Sequence, residues 1–385
     1  MIGAIPLAWL QLMREKARLA VALAGIGFAV ILMFIQLGFR DALFDSSVRL
    51  HEALQGDIFM VSPQSTALIA LDSFSRRRLL QAEGVPGVAS TISLYINFAL
   101  WKNPVDRSTR SIFVLGYDPS EPIFEAALLP DAEPLKLPDY VLFDRDSRPE
   151  FGPVAELIEA GKTVTTELGG RRITVGGLFQ LGASFGADGN LITSDLNFLR
   201  LFDSEPGLIH MGMVRLAPTA DLDQVLATMR REIQEPSGDV LILSKAEFIE
   251  LERSYWQNST AIGFIFNLGA GIGWIVGMVI VYQILYTDVA DHLAEYATLK
   301  AMGYRNRYLL SVVFQEAVVL SVLGFIPAFF LCLGLYAMTE NATSLPIQMT
   351  LARGQLVFTL TIVMCVISGA IAVRKVQEAD PADIF

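Results

Sequence analysis

Four long apolar runs constrain this chain of 385 residues more than any other feature. A helix needs about 20 apolar residues to cross the hydrocarbon core of a bilayer, and each run is roughly that long or longer. A polar stretch of about 220 residues separates the first run from the second. The runs cover residues 19–37, 262–286, 308–338 and 356–373. The sequence therefore predicts an α-helical membrane protein with four transmembrane helices and one large domain inserted between the first and second.

The polar stretch carries the whole charge imbalance of the chain. Residues 40–253 include 31 acidic and 20 basic side chains, a net charge of −11, whereas the remainder has 9 of each. The two cysteines, Cys332 and Cys365, lie in the third and fourth runs. We therefore expect an acidic soluble domain that depends on its own core rather than on disulfides, and nothing in its charge indicates nucleic-acid binding.

Lys and Arg residues near the runs predict the orientation of the chain. The segment before the first run, the loop between the second and third, and the C-terminal tail are basic, whereas the 339–355 loop has only Arg353. We expect both termini in the cytoplasm and the large domain in the periplasm, with the chain in an inner (plasma) membrane. Residues 36–44 offer no small-residue cleavage site, which favours a retained span over a signal peptide.

These runs divide the chain into nine segments. They are an amphipathic N-terminal helix on the cytoplasmic membrane surface (1–18), the first span (19–37), the periplasmic α/β domain with stalk helices (38–261), the second span (262–286), a cytoplasmic coupling loop (287–307), the third span (308–338), a short periplasmic loop (339–355), the fourth span (356–373) and a cytoplasmic tail (374–385). The N-terminal segment can also be read as a charged lead-in to the first span.

The periplasmic segment alternates strand and helix patterns, which is typical of a mixed α/β domain. Gly169-Gly170 predicts a β-hairpin turn, and a Pro-rich stretch precedes an inserted subdomain at about 139–208. We expect residues 244–258 to run as a helix straight into the second span, and 39–54 to extend the first span outward. Strands are expected at 57–62, 91–101, 110–117, 163–167, 171–179 and 210–216, and helices at 74–82 and 222–233.

Three candidate catalytic or binding motifs lack the neighbouring residues or the spacing that their function needs. Gly161-Lys162-Thr163 lacks the first glycine of a P-loop, so the chain is not expected to hydrolyse ATP. Residues 182–186 match G-x-S-x-G, but turn residues follow where a nucleophile elbow needs a helix. The three histidines are scattered without metal-ligand spacing. We therefore expect no catalytic residue, cofactor or metal site in this chain.

The apolar runs contain a few informative residues. Gly269, Gly273 and Gly277 form a strip that allows close helix packing, either within one subunit or in a dimer. Glu316 is an intramembrane carboxylate, for which snorkelling or pairing with a basic residue is the expected role. Pro327 is expected to kink the third span.

The 287–307 loop holds the residues that we assign to coupling. Leu299 and Met302 share the apolar side of a short helix, and Gly303 is placed to end it. A short helix between two spans has the shape needed to insert into a partner's cleft, whereas a mere connecting turn would not favour exposed apolar side chains. The candidate coupling residues are Glu295, Leu299, Lys300, Met302, Gly303 and Tyr304.

This loop is similar to that of the FtsX/MacB family of ABC-transporter permeases, the type VII or mechanotransmission systems. The family pattern is roughly E-I-G-x-x-[KR]-A-[LMV]-G, and Glu295, Lys300, Ala301, Met302 and Gly303 agree with it. Residues 314–317 and the Arg-rich, Asp-Pro tail also resemble the family. In the large domain, residues 139–144, 147–152 and 184–191 resemble the DevC branch, the permeases of cyanobacterial DevBCA exporters.

The resemblance implies a homodimeric permease with a MacB-like periplasmic domain. Separate DevA-like ATPase subunits would bind ATP, and a DevB-like membrane-fusion adaptor and a TolC-like outer-membrane channel would complete a tripartite exporter of a glycolipid, another lipid or an amphiphile. The alternative is an FtsX-like signalling subunit that controls a periplasmic cell-wall hydrolase. A sensor receptor is a weaker alternative, because only a dozen residues follow the fourth run.

Overall fold

The computed structural model describes residues 16–292, 306–343 and 345–377. The chain divides into two compact units. Leu43–Thr260 form one, which we call the α/β unit, and the residues before and after it form the other, which we call the membrane unit.

The α-helices of the described residues follow one another along the chain in this order. They are α1 (Lys16–Ser47), α2 (Arg49–Ala53), α3 (Arg77–Glu83), α4 (Val154–Glu159), α5 (Asp195–Phe202), α6 (Leu222–Met229), α7 (Lys245–Ser254), α8 (Ala261–Asp291), α9 (Asn306–Thr343) and α10 (Leu351–Gln377). Short 3-10 turns lie at Leu68–Ala70, Glu133–Lys136 and Pro149–Phe151, π-helical turns at Arg230–Gln234 and Tyr255–Ser259, and a last helical turn at Glu235–Ser237.

The membrane unit is built from α1, α8, α9 and α10. Each contains a segment that is long and apolar enough to cross a membrane, which confirms the prediction of four such helices. Along α1, the residues buried inside the unit recur every three or four positions, as expected for one helix face packed against neighbours. They are Ala22, Ile26, Ala29, Val30, Met33, Phe34 and Leu37.

The helix expected over 244–258 does not run straight into the second apolar helix, so that prediction is wrong. Thr260 has an extended backbone (φ −114°, ψ 156°) between the π-helical turn after α7 and the start of α8. The Thr260 hydroxyl donates to the Trp256 carbonyl at 2.6 Å. A threonine side chain can thus satisfy a carbonyl that the next helical turn would otherwise use.

The outward extension of α1 is also interrupted. The helix ends at Ser47, and Val48 (φ −94°, ψ 2°) separates it from α2. The hydroxyls of Ser46 and Ser47 donate to the carbonyls of Leu43 and Phe44 at 2.8 and 2.7 Å, so serine side chains take part in this helix end.

The α/β unit contains one large mixed sheet and a small two-stranded one. The strands are β1 (Ile58–Val61), β2 (Phe74–Ser75), β3 (Val88–Lys102), β4 (Thr109–Tyr117), β5 (Tyr140–Asp144), β6 (Val164–Leu168), β7 (Arg171–Phe179), β8 (Asn190–Ser194), β9 (Leu208–Ile209), β10 (Met211–Leu216) and β11 (Leu241–Ser244). The residues expected at the start of a helix, Phe74 and Ser75, instead form β2, and α3 begins after them.

The large sheet has the order β11-β1-β10-β3-β4-β8-β5-β7-β6. Its two parallel pairs are β4–β8 and β5–β7, and the other neighbours are antiparallel. Trp101 of β3 also pairs with Leu168 of β6, so the strands from β3 to β6 close into a ring. In chain order, β5 to β8 with α4 and α5 are inserted between β4 and β9.

Side chains of the sheet alternate between two separate cores. In β1, Ile58 and Met60 belong to one cluster and Phe59 and Val61 to the other. Strand β4 follows the same rule, since Ile112 and Val114 belong to the first cluster and the residues between and after them to the second. Successive side chains of a strand point to opposite faces of the sheet, and here a core covers each face. Both sets of side chains are therefore apolar, which explains the uninterrupted apolar runs of these strands.

The hairpin predicted at Gly169-Gly170 connects β6 to β7. Both glycines have positive φ, +57° and +85°. Two successive positive φ values define the tight turn whose twist matches antiparallel strands. No atom lies within 4 Å of a Cβ added to either one, so backbone conformation rather than space requires glycine here.

Replacing Phe198 by Ala should test the first core of the α/β unit. Phe198 is fully buried and its ring lies 4.4 Å from Phe202 and 5.6 Å from Tyr95. We expect F198A to lower the free energy of unfolding of this unit by about 3–5 kcal/mol, because the cavity cannot refill. The matched control is L196A, since Leu196 is 68% exposed and should cost less than about 0.5 kcal/mol. Pulse proteolysis of the full chain in urea measures both, and equal urea midpoints would contradict this packing.

Candidate functional site

The predicted coupling residues lie outside the described part of the chain. This applies to Glu295, Leu299, Lys300, Met302, Gly303 and Tyr304, and also to the N-terminal surface helix before Lys16 and to the end of the tail. The helices on either side of the 293–305 segment are described, since α8 reaches Asp291 and α9 begins at Asn306. Their side chains therefore define what the coupling segment is attached to.

A polar cluster joins α1, α8 and α9 near that segment, and we call it the inner cluster. It contains Arg18, Asp288, Asp291, His292 and Glu316. Arg18 forms an ion pair with Asp291, and its Nη1 lies 3.5 Å from Asp288 Oδ1. His292 Nδ1 lies 2.9 Å from the Asp288 carbonyl oxygen and 3.7 Å from Asp288 Oδ1. The basic side chain of α1 is thus held by the two aspartates that end α8.

Glu316 lies inside this cluster rather than at its surface. Its side chain is 1% exposed, and Asp288 and Arg18 are charged neighbours that act on it electrostatically. Burial of this kind does not fit snorkelling, in which the carboxylate reaches the membrane surface. The other role that we expect for Glu316, pairing with a basic residue, stays a prediction.

A second polar cluster, the outer cluster, joins the other end of α1 to α10 and α8. Arg353 is 5% exposed, and its Nη2 lies 2.8 Å from Asp41 Oδ2. Arg353 Nη1 also donates to the Gln348 carbonyl at 2.8 Å. Arg40 contacts the other Asp41 oxygen at 2.7 Å and donates to Asn267 Oδ1 at 2.7 Å. The Arg353–Asp41 contact is a charge-assisted hydrogen bond in which the arginine is buried and the carboxylate is 29% exposed.

Both ends of α1 are therefore tied to its neighbours within the membrane unit. Arg18 holds one end to α8, and Asp41 holds the other to α10. Between these ties the Tyr336 hydroxyl donates to the Phe34 carbonyl and so connects α9 to α1. Polar contacts within the membrane unit thus join α1 to α8, α9 and α10.

The glycine strip of α8 packs against α1 within the same chain. A Cβ added to Gly269 would lie 2.6 Å from Gln36 Cδ, and one added to Gly273 would lie 3.2 Å from Leu32 Cβ. At Gly277 it would lie 2.5 Å from both Ala29 Cβ and Met364 Sδ. Because real Cβ contacts of 2.5 Å do not occur, the close approach of α1 and α8 requires glycine at Gly277. A Cβ at Gly273 would be tight, and one at Gly269 would require the Gln36 side chain to move.

Pro327 lies inside α9, which runs as one helix from Asn306 to Thr343. Its ring removes the N–H that would bond the carbonyl four residues earlier, which is the usual cause of a kink. The kink itself stays a prediction. Close by, Gly324 lets α9 approach α1, because an added Cβ would lie 2.6 Å from Ile26 Cγ2.

Alanine scanning of the α8 glycines should separate packing from helix propensity. We expect G277A to destabilise the membrane unit by about 1–3 kcal/mol, because its Cβ overlaps Ala29 and Met364. The control is G271A, since nothing lies within 4 Å of a Cβ at Gly271. Alanine there should be neutral or stabilising by up to about 1 kcal/mol. Thermal unfolding in detergent measures both variants, and equal effects would contradict the close contact.

In the α/β unit, the segment that matched G-x-S-x-G forms a loop between β7 and β8. Strand β8 follows it, so the helix that a nucleophile elbow needs is not there. Asp144, which is fully buried, accepts hydrogen bonds from the backbone N–H of Leu181 and Gly182 at 3.0 and 2.8 Å and from the Asn190 amide at 2.7 Å. Burial raises the Asp144 pKa, and these hydrogen bonds oppose that rise.

This loop is fastened to the helices where the chain enters and leaves the unit. Arg49 Nη1 donates to the Ala183 carbonyl at 2.8 Å, and the Phe185 N–H donates to Ser46 Oγ at 3.1 Å. The Phe185 ring meets Trp256 edge-on at 4.7 Å. The segment thus ties the inserted strands to both connecting segments of the unit.

A buried acid lies beneath the loop. Glu252, on α7, accepts hydrogen bonds from the Leu68 N–H and from Trp256 Nε1, both at 2.7 Å. A cavity of about 20 Å³, enough for one water molecule, lies beside it, lined in part by Leu68 and Ser184. His51 is 1% exposed, and its Nε2 lies 3.6 Å from Glu252 Oε2. Burial raises the Glu252 pKa to about 6 and lowers the His51 pKa to about 3.

These two shifts predict opposite pH effects on the α/β unit. The His51 pKa is lower in the folded state, so stability falls as pH drops below 6.5, by about 3 kcal/mol at pH 4.5. The Glu252 pKa is higher in the folded state, so stability rises as pH drops through 6, by about 2 kcal/mol. H51Q should therefore remove the loss in acid, whereas E252Q should steepen it. Urea midpoints at both pH extremes measure the difference, and three parallel pH curves would contradict it.

The comparisons with known proteins agree with part of the sequence prediction. Residues 267–381 match the family model described as FtsX-like permease C-terminal. This range includes most of α8, all of α9 and α10 and the segment between α8 and α9. The match confirms the FtsX-like permease resemblance over these residues. No curated protein matches the chain.

Solved structures that resemble the chain include a periplasmic region and an extracellular domain of two other proteins. The periplasmic region of MacB from Actinobacillus actinomycetemcomitans aligns at 9% identity and TM-score 0.36, covering 55% of this chain and 97% of that one. The extracellular domain of the noncanonic ABC-type transporter YknZ from Gram-positive bacteria aligns at 11% identity and TM-score 0.33, covering 49% and 100%. Because both TM-scores lie below 0.5, these likenesses carry no argument about function.

The sequence did not predict that the charged residues of the inner cluster, or those of the outer cluster, lie together. Arg18 and Arg353 lie among the basic residues that predict orientation, and no motif in the sequence marks Asp41 or Asp288. Acidic and basic residues both lie at the ends of the apolar runs. Because a buried charge needs a partner of opposite sign, such residues could have been predicted to pair.

Proposed function

We propose that this chain is the transmembrane permease subunit of an ABC exporter. The observation that carries the proposal is the FtsX-like permease C-terminal match over residues 267–381. ATP hydrolysis would take place in a separate subunit, and the permease would transmit the resulting motion to its α/β unit. The α/β unit would act on the far side of the membrane, in the orientation that the basic residues predict.

The ties of α1 support a role in transmitting motion. A push on the 293–305 segment would act directly on the ends of α8 and α9. Arg18 would pass part of it to α1, and the Asp41–Arg353 pair would keep α10 in step with α1. The chain continues from α1 into the α/β unit, where Arg49 holds the loop between β7 and β8. Charged pairs with little exposure are suited to this, because breaking one leaves an uncompensated charge.

The more specific parts of the proposal come from the resemblance to the DevBCA and MacAB systems. In that arrangement two copies of the chain pair with two DevA-like ATPase subunits, a DevB-like adaptor and a TolC-like channel. The exported molecule would be a glycolipid, another lipid or an amphiphile. The ATPase subunits would bind the ATP, and this chain would hold no cofactor of its own.

Substitutions in the coupling segment test the proposal. We expect L299D and M302D each to abolish binding to the cognate ATPase subunit and its stimulation, because a charge cannot enter an apolar cleft. The matched control is A297D, which places the same charge on the opposite side of the predicted short helix and should retain both. Co-purification and ATPase assays in lipid nanodiscs measure the effects. Unchanged complex formation and stimulation by L299D would argue against the coupling role.

A pull-down distinguishes the exporter from the FtsX-like signalling alternative. An adaptor and an outer-membrane channel recovered with the full chain support export. A cell-wall hydrolase recovered without either of them supports the signalling role.

A further inference from the structure

The ends of two β-hairpins meet at one place on the surface of the α/β unit. The β3–β4 hairpin ends in residues 103–108, and the β6–β7 hairpin ends in Gly169-Gly170. Trp101 of β3 pairs with Leu168 of β6, and the Gly169 N–H donates to the Leu100 carbonyl at 2.9 Å. The two hairpin ends therefore lie side by side.

Two large apolar side chains are exposed at these hairpin ends. Leu100 is 60% exposed and Val105 is 64% exposed. Trp101 is fully buried, so Leu100, its neighbour in the strand, points to the opposite, outer face of the sheet. The turn beside Leu100 consists of Gly169 and Gly170, which have no side chain that could cover it.

Basic side chains accompany these apolar ones on both hairpins. Glu167 of β6 uses its two oxygens on the first hairpin, since Lys102 Nζ lies 3.0 Å from Oε2 and Arg107 Nη2 lies 3.3 Å from Oε1. Arg172 lies opposite Glu167 in the register of β6 and β7. Neither Arg172 nor its neighbour Arg171 forms an ion pair with any residue that the structure describes. Both arginines are exposed and free to meet the carboxylates of another molecule.

The hairpin ends are positive within an acidic unit. Residues 99–108 and 167–172 contain four basic and two acidic side chains, a net charge of +2, whereas residues 40–253 carry −11. Arg110, on the next strand, pairs with Glu150 and Asp188, so those two acids already have a basic partner. A local positive charge on an acidic protein attracts an acidic partner and orients it.

Exposed aliphatic side chains among arginines have the composition of a protein–protein interface, in which arginine is enriched and apolar contacts form the centre. We call this set of residues the hairpin surface: Leu100, Lys102, Val105, Arg107, Arg171 and Arg172. We propose that the hairpin surface binds an acidic segment of another protein, with Leu100 and Val105 as the apolar contacts and Arg171 and Arg172 as the partners of its carboxylates. The proposal holds whether or not the chain is a permease.

A membrane surface fits the hairpin surface less well than an acidic protein does. Proteins that lie at lipid headgroups present Trp and Tyr side chains there, but Trp101, the one aromatic residue of the two hairpin ends, is fully buried. Asp106 and Glu167 lie among the basic residues and would repel anionic headgroups.

Site-specific photocrosslinking of the full chain in cells of its own organism tests the proposal. A photoreactive amino acid at position 105 should form an adduct with one other protein. The crosslinked peptide, identified by mass spectrometry, should contain more Asp and Glu than Lys and Arg. The double variant R171E/R172E should lower the adduct yield by about tenfold or more, because two reversed charges repel the same carboxylates. The matched control is R231E, since Arg231 is an exposed arginine outside the hairpin surface, and it should leave the yield unchanged.

Pulse proteolysis in urea serves as the check on folding, and all variants should keep the wild-type midpoint because the altered side chains are exposed. An adduct with a second copy of this chain, with a lipid, or with a segment that has no acidic excess would overturn the proposal. Equal yields from R171E/R172E and the wild type, or no adduct at all, would also overturn it. None of these outcomes bears on the proposed function, which L299D tests with the ATPase subunit.

Discussion

The close approach of α1 and α8 is the contact on which the membrane unit depends. It requires small residues in register, with Gly277 against Ala29 and Gly273 against Leu32. Gly25 of α1 completes it, because an added Cβ would lie 2.4 Å from Ile280. In lipid, apolar surface supplies no hydrophobic drive for helix association, so packing at this distance and buried polar contacts have to hold the helices together. The inner cluster can form because this packing brings Arg18 to the end of α8.

Much of the architecture could be predicted because it follows from local periodicity. Four apolar runs predicted four long helices, and short apolar runs such as Ile58 to Val61 predicted strands. The breaks at Val48 and Thr260 were missed, because serine and threonine hydroxyls that take helix carbonyls leave no apolar pattern. Boundaries of this kind are set by side-chain hydrogen bonds that compete with the helix.

The polar clusters could not be predicted for a different reason. Asp41 and Arg353 are separated by 312 positions in the chain, and Arg18 and Asp288 by 270. Sequence shows that each lies near an apolar boundary, but which partner it meets depends on how the helices are arranged. The same holds for His51 and Glu252, whose meeting depends on α2 packing against α7. The pairings of these charged residues were therefore not predictable from the sequence, and the coupling motif stays a prediction.

The pairing of β1 with β11 has a mechanical consequence. These are the first and last strands of the large sheet in chain order, they are antiparallel, and Ile58 lies opposite Ser244. The chain thus enters the sheet and leaves it at the same edge position. When both connections shift together, the backbone hydrogen bonds between the two strands feel no force. When the connections are pulled apart, the hydrogen bonds between the two strands break one at a time, starting at that end. A pair of strands resists this direction of pulling least.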